Sequence, residues 1–288
     1  SALLPAFVAA ADAHAIVTIL EGDGALVRES GRYALAEGVR LRAEDIVETG
    51  PKTGLLRIEF KDGSIADLGP GTSVLLMPRL STPKRDKRPA ALYVRQGWVK
   101  LTAGGAGKAG FSSPAYDAAE VEGVVVAFVD AAENFAFAES RPVVVTERNG
   151  DKPGQNLPLK SGESYLRRGT DKPVSGARPP ADMLERMPRA FRDSLPSLAQ
   201  RYKDGEMPPK AQRTVDYEDI KGWLQAERAL RAGFVARWKP LAEDAGFRQA
   251  VATHMRAHPE WDRVLFPEKY LPRPAVAASG PAGATGAR

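Results

Sequence analysis

The chain has 288 residues, of which 43% are hydrophobic, so it can bury the core of one large domain or two ordinary ones. It contains no cysteine, which excludes disulfides, thiolate zinc sites and a cysteine nucleophile. Its formal net charge of +5 suits contact with acidic partners without requiring nucleic acid.

The first fifteen residues have the features of the end of a secretory signal. A short apolar run at residues 3–10 precedes two overlapping A-x-A patterns at residues 11–15, of the kind that signal peptidase cleaves. We interpret residues 1–15 as a signal-peptide remnant or flexible arm and expect a periplasmic protein. No apolar stretch approaches the roughly 20 residues that span a bilayer, so we expect the mature protein to be soluble.

Short apolar runs separated by turn residues fill the chain from Ile16 onward. Many short strands at a spacing of about 8–12 residues favour a sandwich, a jelly roll or a β-solenoid. The Asp62–Gly63 pair predicts a tight hairpin, because these residues readily adopt positive φ angles. The predicted strands around this hairpin are residues 16–20, 25–28, 45–49, 56–60, 65–68 and 73–77.

The strand before that hairpin alternates apolar and charged residues. Leu56, Ile58 and Phe60 would face the core, while Arg57 and Glu59 would face water.

A series of turn motifs links the predicted strands in a fixed order. The motifs are Gly38 with Asp45, Thr49-Gly50, Asp62-Gly63-Ser64, Leu68-Gly69-Pro70, Gln96-Gly97-Trp98-Val99, Ser113-Pro114, Val121-Glu122-Gly123 and Leu159-x-x-Gly162-Glu163. Together they resemble the FecR-type periplasmic domains over about residues 16–168. Because these motifs are structural turns, the resemblance describes a fold rather than a chemistry.

The resemblance also implies a kind of function. In FecR-type proteins such a domain senses the state of an outer-membrane transporter, and a cytoplasmic helical domain then acts on a sigma factor through a membrane helix. We expect this chain to lack that cytoplasmic part and membrane helix, and Val124 stands where the family has threonine. The resemblance therefore implies a periplasmic recognition module.

A basic loop interrupts the β pattern at residues 80–89. Lys84, Arg85, Lys87 and Arg88 surround the single acid Asp86. The loop is either a solvated connection between strands or an electrostatic contact for an anionic polymer or an acidic protein face. It has no interleaved aromatic residues, which argues against binding of single-stranded nucleic acid by stacking.

No motif of an enzyme or of cofactor binding is complete. The glycine-rich segment at residues 104–109 fails the phosphate-loop spacing, because Thr102 and Ala109 stand where glycine and serine or threonine are needed. The chain has no G-x-S-x-G elbow, and carboxylates such as Asp62 and Glu163 lie at turns, where they cap the backbone. We predict no catalytic residue and no cofactor, with a glycosidase-like carboxylate pair as the residual alternative.

The composition changes after the predicted β-domain. We interpret residues 169–180 as a linker, residues 181–272 as a helical region and residues 273–288 as a disordered tail. Asp182 is placed to cap a first helix, and Asp216 to open a longer one that ends at Pro240. The core-facing residues of the last two predicted helices are Ile220, Trp223, Leu224, Leu230, Phe234 and Trp238, then Phe247, Val251 and Met255.

Two of the three histidines, His254 and His258, lie four residues apart. They could face one metal ion, but a zinc-protease motif would need glutamate where Met255 stands. We predict an ordinary helix terminus and no metal site.

The segment at residues 261–272 is unusually apolar and aromatic for a chain end. It either lies back across the fold or serves as a docking peptide, in which case Trp261, Phe266 and Tyr270 would contact the partner.

The sequence as a whole favours a non-catalytic periplasmic adaptor that binds a protein in bacterial envelope signalling or assembly. The alternative is an envelope protein that binds peptidoglycan or another polysaccharide, with or without weak hydrolytic activity. The predicted partner-binding residues are Lys84, Arg85, Lys87 and Arg88, together with the three aromatic residues of the chain end.

Overall fold

The computed structural model describes residues 13–78, 91–105, 109–150, 152–205 and 207–271. These residues form a mainly β structure with a helical region near the C-terminal end, which confirms the predicted fold class. The strands are β1 (Ala13–Glu21), β2 (Gly24–Arg28), β3 (Gly31–Ala34), β4 (Arg40–Arg42), β5 (Ile46–Thr49), β6 (Leu55–Phe60), β7 (Ile65–Leu68), β8 (Ser73–Leu76), β9 (Leu92–Thr102), β10 (Ala109–Ser112), β11 (Tyr116–Val121), β12 (Val124–Val129), β13 (Glu133–Ser140), β14 (Val143–Asn149), β15 (Lys152–Leu159), β16 (Ser164–Arg168), β17 (Val174–Gly176) and β18 (Lys210–Thr214).

The strands form two sheets that share β9. Sheet A has the order β4-β1-β6-β7-β9-β12-β13-β16-β17. Sheet B has the order β18-β3-β2-β5-β8-β9-β10-β11-β14-β15. The first half of β9 pairs with β8, and the second half pairs with β7 and β12. All these pairings are antiparallel except that of β9 with β10.

Gly97 is the residue at which β9 passes from one sheet to the other. Its φ angle is +100°, and a Cβ atom added there would clash with Thr72. Both conditions require glycine, so the shared strand depends on this position.

The main core lies between the two sheets. Alternate residues of each strand point inward, as the period of two requires. Full burial stabilises each Val, Leu or Ile by about 1.5–3 kcal/mol, so this layer supplies much of the stability of the sandwich. Core residues with no exposed surface include Val17, Leu26, Leu41, Val47, Leu56, Ile58, Leu68, Val74, Val94, Val99, Leu101, Val125 and Val145.

The outer face of sheet A is covered by later segments of the chain and is not exposed to solvent. Arg57 and Glu59 are only 3% and 4% exposed, so the prediction that they face water is wrong. The cover consists of helix α1 (Ala181–Arg186) and the segment at residues 189–202, which we call the strap. The strap has a 3-10 turn at each end, Arg189–Arg192 and Ala199–Tyr202, and an irregular segment between them. Pro180 rather than Asp182 precedes the first turn of α1.

The outer face of sheet B is covered by helices. Val27, Ile46, Leu75 and Tyr93 of this face share a core with the aromatic residues of the helical cap, which we define as residues 215–266. The helices of the cap are α2 (Tyr217–Leu224), α3 (Arg228–Trp238), α4 (Ala245–Thr253) and α5 (Asp262–Leu265).

The longer helix that was expected after Asp216 starts as predicted but is broken. Asp216 and Asp219 form a reciprocal capping box at the start of α2. The helix stops at Gln225, and α3 begins after Glu227. This break brings the Glu227 carboxylate to 3.9 Å from the buried guanidinium of Arg148 on β14. Helix α4 likewise ends at Thr253, so Met255 lies in a following 3-10 turn.

Two strands lie outside the predicted β-domain. β17 falls within the predicted linker and pairs with β16, while β18 falls within the predicted helical region and pairs with β3. Strand pairing therefore crosses the predicted boundary between the β-domain and the regions that follow it. The domain boundaries themselves stay a prediction. In the part of the chain that the structure describes, no helix is long and apolar enough to cross a membrane.

Candidate functional site

The predicted basic loop cannot be placed. Lys84, Arg85, Lys87 and Arg88 lie outside the described residues. The described residues on the two sides of the loop follow β8 and precede β9, and there the Met77 amide donates to the Ala91 carbonyl at 2.9 Å. A role of the loop in partner binding stays a prediction.

The aromatic residues of the chain end have separate roles. Trp261 is 1% exposed and its ring meets Phe247 edge-on at 5.4 Å, so it belongs to the core of the cap and is not available to a partner. Phe266 is half-buried, with the Lys269 ammonium 4.2 Å from its ring centroid. Tyr270 is 49% exposed and donates its hydroxyl to Asp262. The segment thus lies back across the fold, and Tyr270 is its most exposed aromatic ring.

Tyr217 separates the two histidines of the cap. The His254 ring stacks on Tyr217 at 5.4 Å, while Nε2 of the buried His258 lies 2.8 Å from the Tyr217 hydroxyl. Burial lowers the pKa of His258. Among the described residues, no three His, Cys, Asp or Glu side chains are grouped as a metal site requires.

The turn carboxylates cap the backbone as predicted. Asp62 accepts the Ser64 amide at 2.9 Å, and Glu163 accepts the Lys160 amide at 2.8 Å. Gly63 at the predicted hairpin has a φ angle of +82°. Of the segment that resembles a phosphate loop, Gly104 packs against the hairpin, and residues 106–108 lie outside the described part.

A groove of about 600 Å³, which we call the α3 groove, lies between helix α3 and the turns that follow β2 and β4. Leu75, Leu230 and Phe234 give it an apolar lining. Gly233 and Ala236 keep the wall of α3 low, and a Cβ added at Gly233 would meet nothing within 4 Å. Glycine inside a helix costs about 0.5–1 kcal/mol relative to alanine, so alanine at position 233 would stabilise the helix but would fill part of the open space.

The turns that border the groove are held by one arginine of α3. The Arg237 guanidinium donates to the carbonyls of Val27 at 2.9 Å, Glu29 at 3.2 Å and Glu44 at 2.7 Å. Glu29 and Glu44 have positive φ angles of 51° and 65°, which are unfavourable for residues with a side chain. Trp238 adds a hydrogen bond from its indole to the Glu29 carbonyl at 2.9 Å. The end of α3 thus fixes the shape of both turns.

Two further arginines at the groove, Arg28 and Arg42, differ in whether their side chains form an ion pair. Arg28 forms a two-point ion pair with Asp45 at 2.9 and 2.6 Å, and Asp45 also accepts the Arg42 amide at 2.7 Å. Within the described residues, no hydrogen bond or ion pair is made by the Arg42 side chain. Arg42 is therefore a cation at the groove that is free to meet a ligand.

Sequence reasoning missed the α3 groove. Asp45 was recognised only as a motif residue, and Arg42 and Arg237 carried no signal. Gly233, a glycine between apolar residues of a predicted helix, is the one local sign of an opening.

Comparison with known proteins gives few matches. No protein-family model matches the chain, and no curated protein matches its sequence. Two crystal structures of a candidate anti-sigma factor from Parabacteroides distasonis align with it at 11% identity and a TM-score of 0.37. Each alignment covers 46% of this chain and 59% of that protein, so this chain spans less than two-thirds of that protein's length. The resemblance to FecR-type domains stays a prediction.

Proposed function

We propose that this protein is a non-catalytic, protein-binding adaptor of the bacterial periplasm that serves envelope signalling or assembly. The observation that carries the proposal is the α3 groove, which combines an apolar floor, hydrogen-bonded turns and the Arg42 guanidinium, which has no ion pair within the described residues. A partner would place an apolar side chain against Leu230 and Phe234 and a carboxylate against Arg42.

The charges of the groove support binding rather than catalysis. Asp45 is 2% exposed and accepts hydrogen bonds from the Arg28 guanidinium and the Arg42 amide, so this carboxylate holds the turn in place. Arg237 is committed to three backbone carbonyls. These groups hold the shape of the groove instead of facing a substrate.

The turns of the groove support a preformed binding surface. Two residues with positive φ angles cost on the order of 1–3 kcal/mol each, and the hydrogen bonds from α3 offset that cost before any partner arrives. A surface that is already ordered loses less entropy on binding.

The groove can be tested by filling it. Gly233→Leu places a large side chain in open space, so we expect a stable fold and at least about tenfold weaker partner binding. Ala232→Leu is the matched control, because Ala232 is an exposed neighbour on α3 that does not line the groove. The measurement is affinity for a partner that the unmodified protein retains from native envelope after cross-linking. Equal binding by both variants would contradict the groove as the docking site.

The polysaccharide alternative has its own outcome. Sedimentation with purified cell wall at moderate salt, unchanged by Gly233→Leu, would favour it over a protein partner. Moderate salt is needed because a sequence pI near 9.4 retains the protein on an anionic wall at low salt.

The periplasmic location rests on the pattern at residues 1–15. Fractionation of native cells should recover the protein with periplasmic markers. Recovery with cytoplasmic markers would remove this part of the proposal.

A further inference from the structure

A row of charged side chains lies buried on the outer face of sheet A. Arg57 on β6, Asp67 on β7 and Lys100 on β9 are direct cross-strand neighbours. They are 3%, 3% and 5% exposed, and Arg57 pairs with Asp67 at 2.7 and 3.0 Å. Glu59, two residues along β6, is 4% exposed. A face of this kind is unusual beneath a permanent cover, which ordinarily packs on apolar surface.

These charged side chains hold the strap mainly by its backbone. Arg57 donates to the carbonyls of Leu195 and Pro196 at 3.1 and 3.2 Å. Lys100 donates to the Phe191 carbonyl at 2.6 Å, and Glu59 accepts the Leu198 amide at 2.8 Å. Contacts to carbonyls and amides do not depend on the side chains of the bound segment. The face is therefore built to hold extended polypeptide in general.

Apart from the Ser197 hydroxyl, which donates to Glu59, the side chains of the strap contribute contacts mainly at its two ends. Phe191 is 1% exposed in the core beneath α1. At the other end the Tyr202 hydroxyl donates to Glu37 at 2.8 Å, and Gly38 leaves room for the Tyr202 ring. Residues 192–197 between these anchors are exposed, with Leu195 at 42%. Lifting the middle of the strap would uncover charges that water solvates well.

We propose that this face binds an extended segment of a partner protein, and that residues 192–198 of the strap occupy it until the partner replaces them. The partner segment supplies carbonyls to Arg57 and an amide to Glu59, as residues 192–198 do now, while the Phe191 carbonyl stays on Lys100. The inference rests on the proposed function in one respect, which is that the partner is a protein. The strap competes with the partner, so the apparent affinity is reduced by the fraction of molecules in which the face is closed.

A peptide with the sequence of residues 189–202, capped at both ends and labelled, tests the proposal in trans. Leu198→Pro removes the amide that Glu59 accepts and should increase peptide affinity at least about tenfold over the unmodified chain. Ser194→Pro is the matched control, because in the described structure the Ser194 backbone makes no hydrogen bond. Asp193 before it already has the extended φ and ψ of −92° and 147° that a following proline prefers. Equal peptide binding by the two variants would overturn the proposal.

Hydrogen exchange in the unmodified chain tests, without any substitution, whether the strap opens. The Leu198 amide should exchange at least about 100-fold faster than the amide of Ile58 in the buried sandwich, because the strap opens without global unfolding. Equal protection of the two amides would mean that the strap leaves only when the protein unfolds, and would exclude partner exchange.

The proposal and the adaptor function fail in different ways. If a protein partner binds the unmodified chain, Leu198→Pro and Ser194→Pro equally, and the peptide binds none of them, the adaptor function stands and the exchangeable face falls. If the peptide exchanges as expected but no protein partner is retained, the face stands and the adaptor function falls.

Discussion

The two outer faces of the sandwich are covered in opposite ways. Over sheet B, the helical cap places Trp223, Phe234 and Trp238 on apolar strand residues, with Phe234 and Trp238 stacked at 4.9 Å. Over sheet A, the middle of the strap lies on buried charges. It is bound mainly through its backbone, by the carbonyls of Leu195 and Pro196 and the Leu198 amide, and the Ser197 hydroxyl adds a bond to Glu59. Apolar covers cost free energy when they leave, whereas a polar cover exchanges protein hydrogen bonds for those of water. The cap is thus a fixed part of the fold, and the strap is a removable one.

Removal of an aromatic ring from the cap should have the largest effect. Trp238→Ala deletes a fully buried ring and its hydrogen bond to the Glu29 carbonyl, so we expect the free energy of unfolding to fall by about 3–5 kcal/mol. Denaturant unfolding measures this change. Leu184→Ala, on the half-exposed surface of α1, is the control and should change stability by less than about 0.5–1 kcal/mol. A small effect of Trp238→Ala would mean that the cap is as removable as the strap.

The stability of the cap should fall in mild acid. His258 has no exposed surface, and its burial lowers its pKa below the ordinary 6.5. The unfolded chain therefore takes up a proton near pH 6.5 that the folded chain resists, so the stability present above this pH is lost as the pH falls below it. The nearby groups are Tyr217, His254, Glu260 and Arg231.

Thermal unfolding between pH 8 and pH 5 measures this loss, and one variant assigns it. His258→Gln should flatten the dependence of the midpoint on pH. A slope that persists in His258→Gln would assign the effect to another group.

The strap should loosen at lower pH than the cap. Burial raises the pKa of Glu59, but hydrogen bonds from Ser197, Leu198 and Thr18 outweigh burial and lower it below the ordinary 4.5. The stabilisation is therefore present above pH 4.5 and is lost as the pH falls through the folded-state pKa. Protection of the Leu198 amide against hydrogen exchange, corrected for intrinsic rates, should fall in that window.

Glu59→Gln provides the matched test of the strap. This variant should remove the acid dependence. It should also lower the free energy of local opening of the strap by about 0.5–1.5 kcal/mol, with a smaller change in global stability. Acid-dependent opening that persists in Glu59→Gln would show that this carboxylate does not hold the strap.

The smallest expected effect is a gain in stability on α3. Gly233→Ala adds a Cβ to open space on α3, so we expect the free energy of unfolding to rise by about 0.5–1 kcal/mol. Denaturant unfolding with a matched Ala232→Gly variant, which should lose a similar amount, measures the helix effect in both directions. A loss of stability in Gly233→Ala would mean that the groove is narrower than the structure shows.

Local patterns predicted the strands and turns, and failed where the cover comes from far along the chain. The Asp62–Gly63 hairpin and the Asp216 cap follow from a few neighbouring residues, and both were found. Arg57 belongs to a strand in which apolar and charged residues alternate, a pattern typical of one solvent-exposed face. It is nevertheless buried by residues about 138 positions later in the chain, and the alternation within the strand carries no information about such a cover. The α3 groove likewise joins a turn at Glu29 to Arg237, 208 residues later. Both candidate surfaces are products of such long-range contacts.

The shared strand β9 has a consequence for the order in which the molecule is completed. In sheet A it lies between β7 and β12, and in sheet B between β8 and β10. A growing chain that ends before Leu92 therefore has unpaired edges on both β7 and β8, and open edges attract other strands. The later half needs the same strand to join its own two sheets. During synthesis the arrival of β9 closes both open edges of the first half, and the same strand then presents its own edges to β10 and β12 as they emerge.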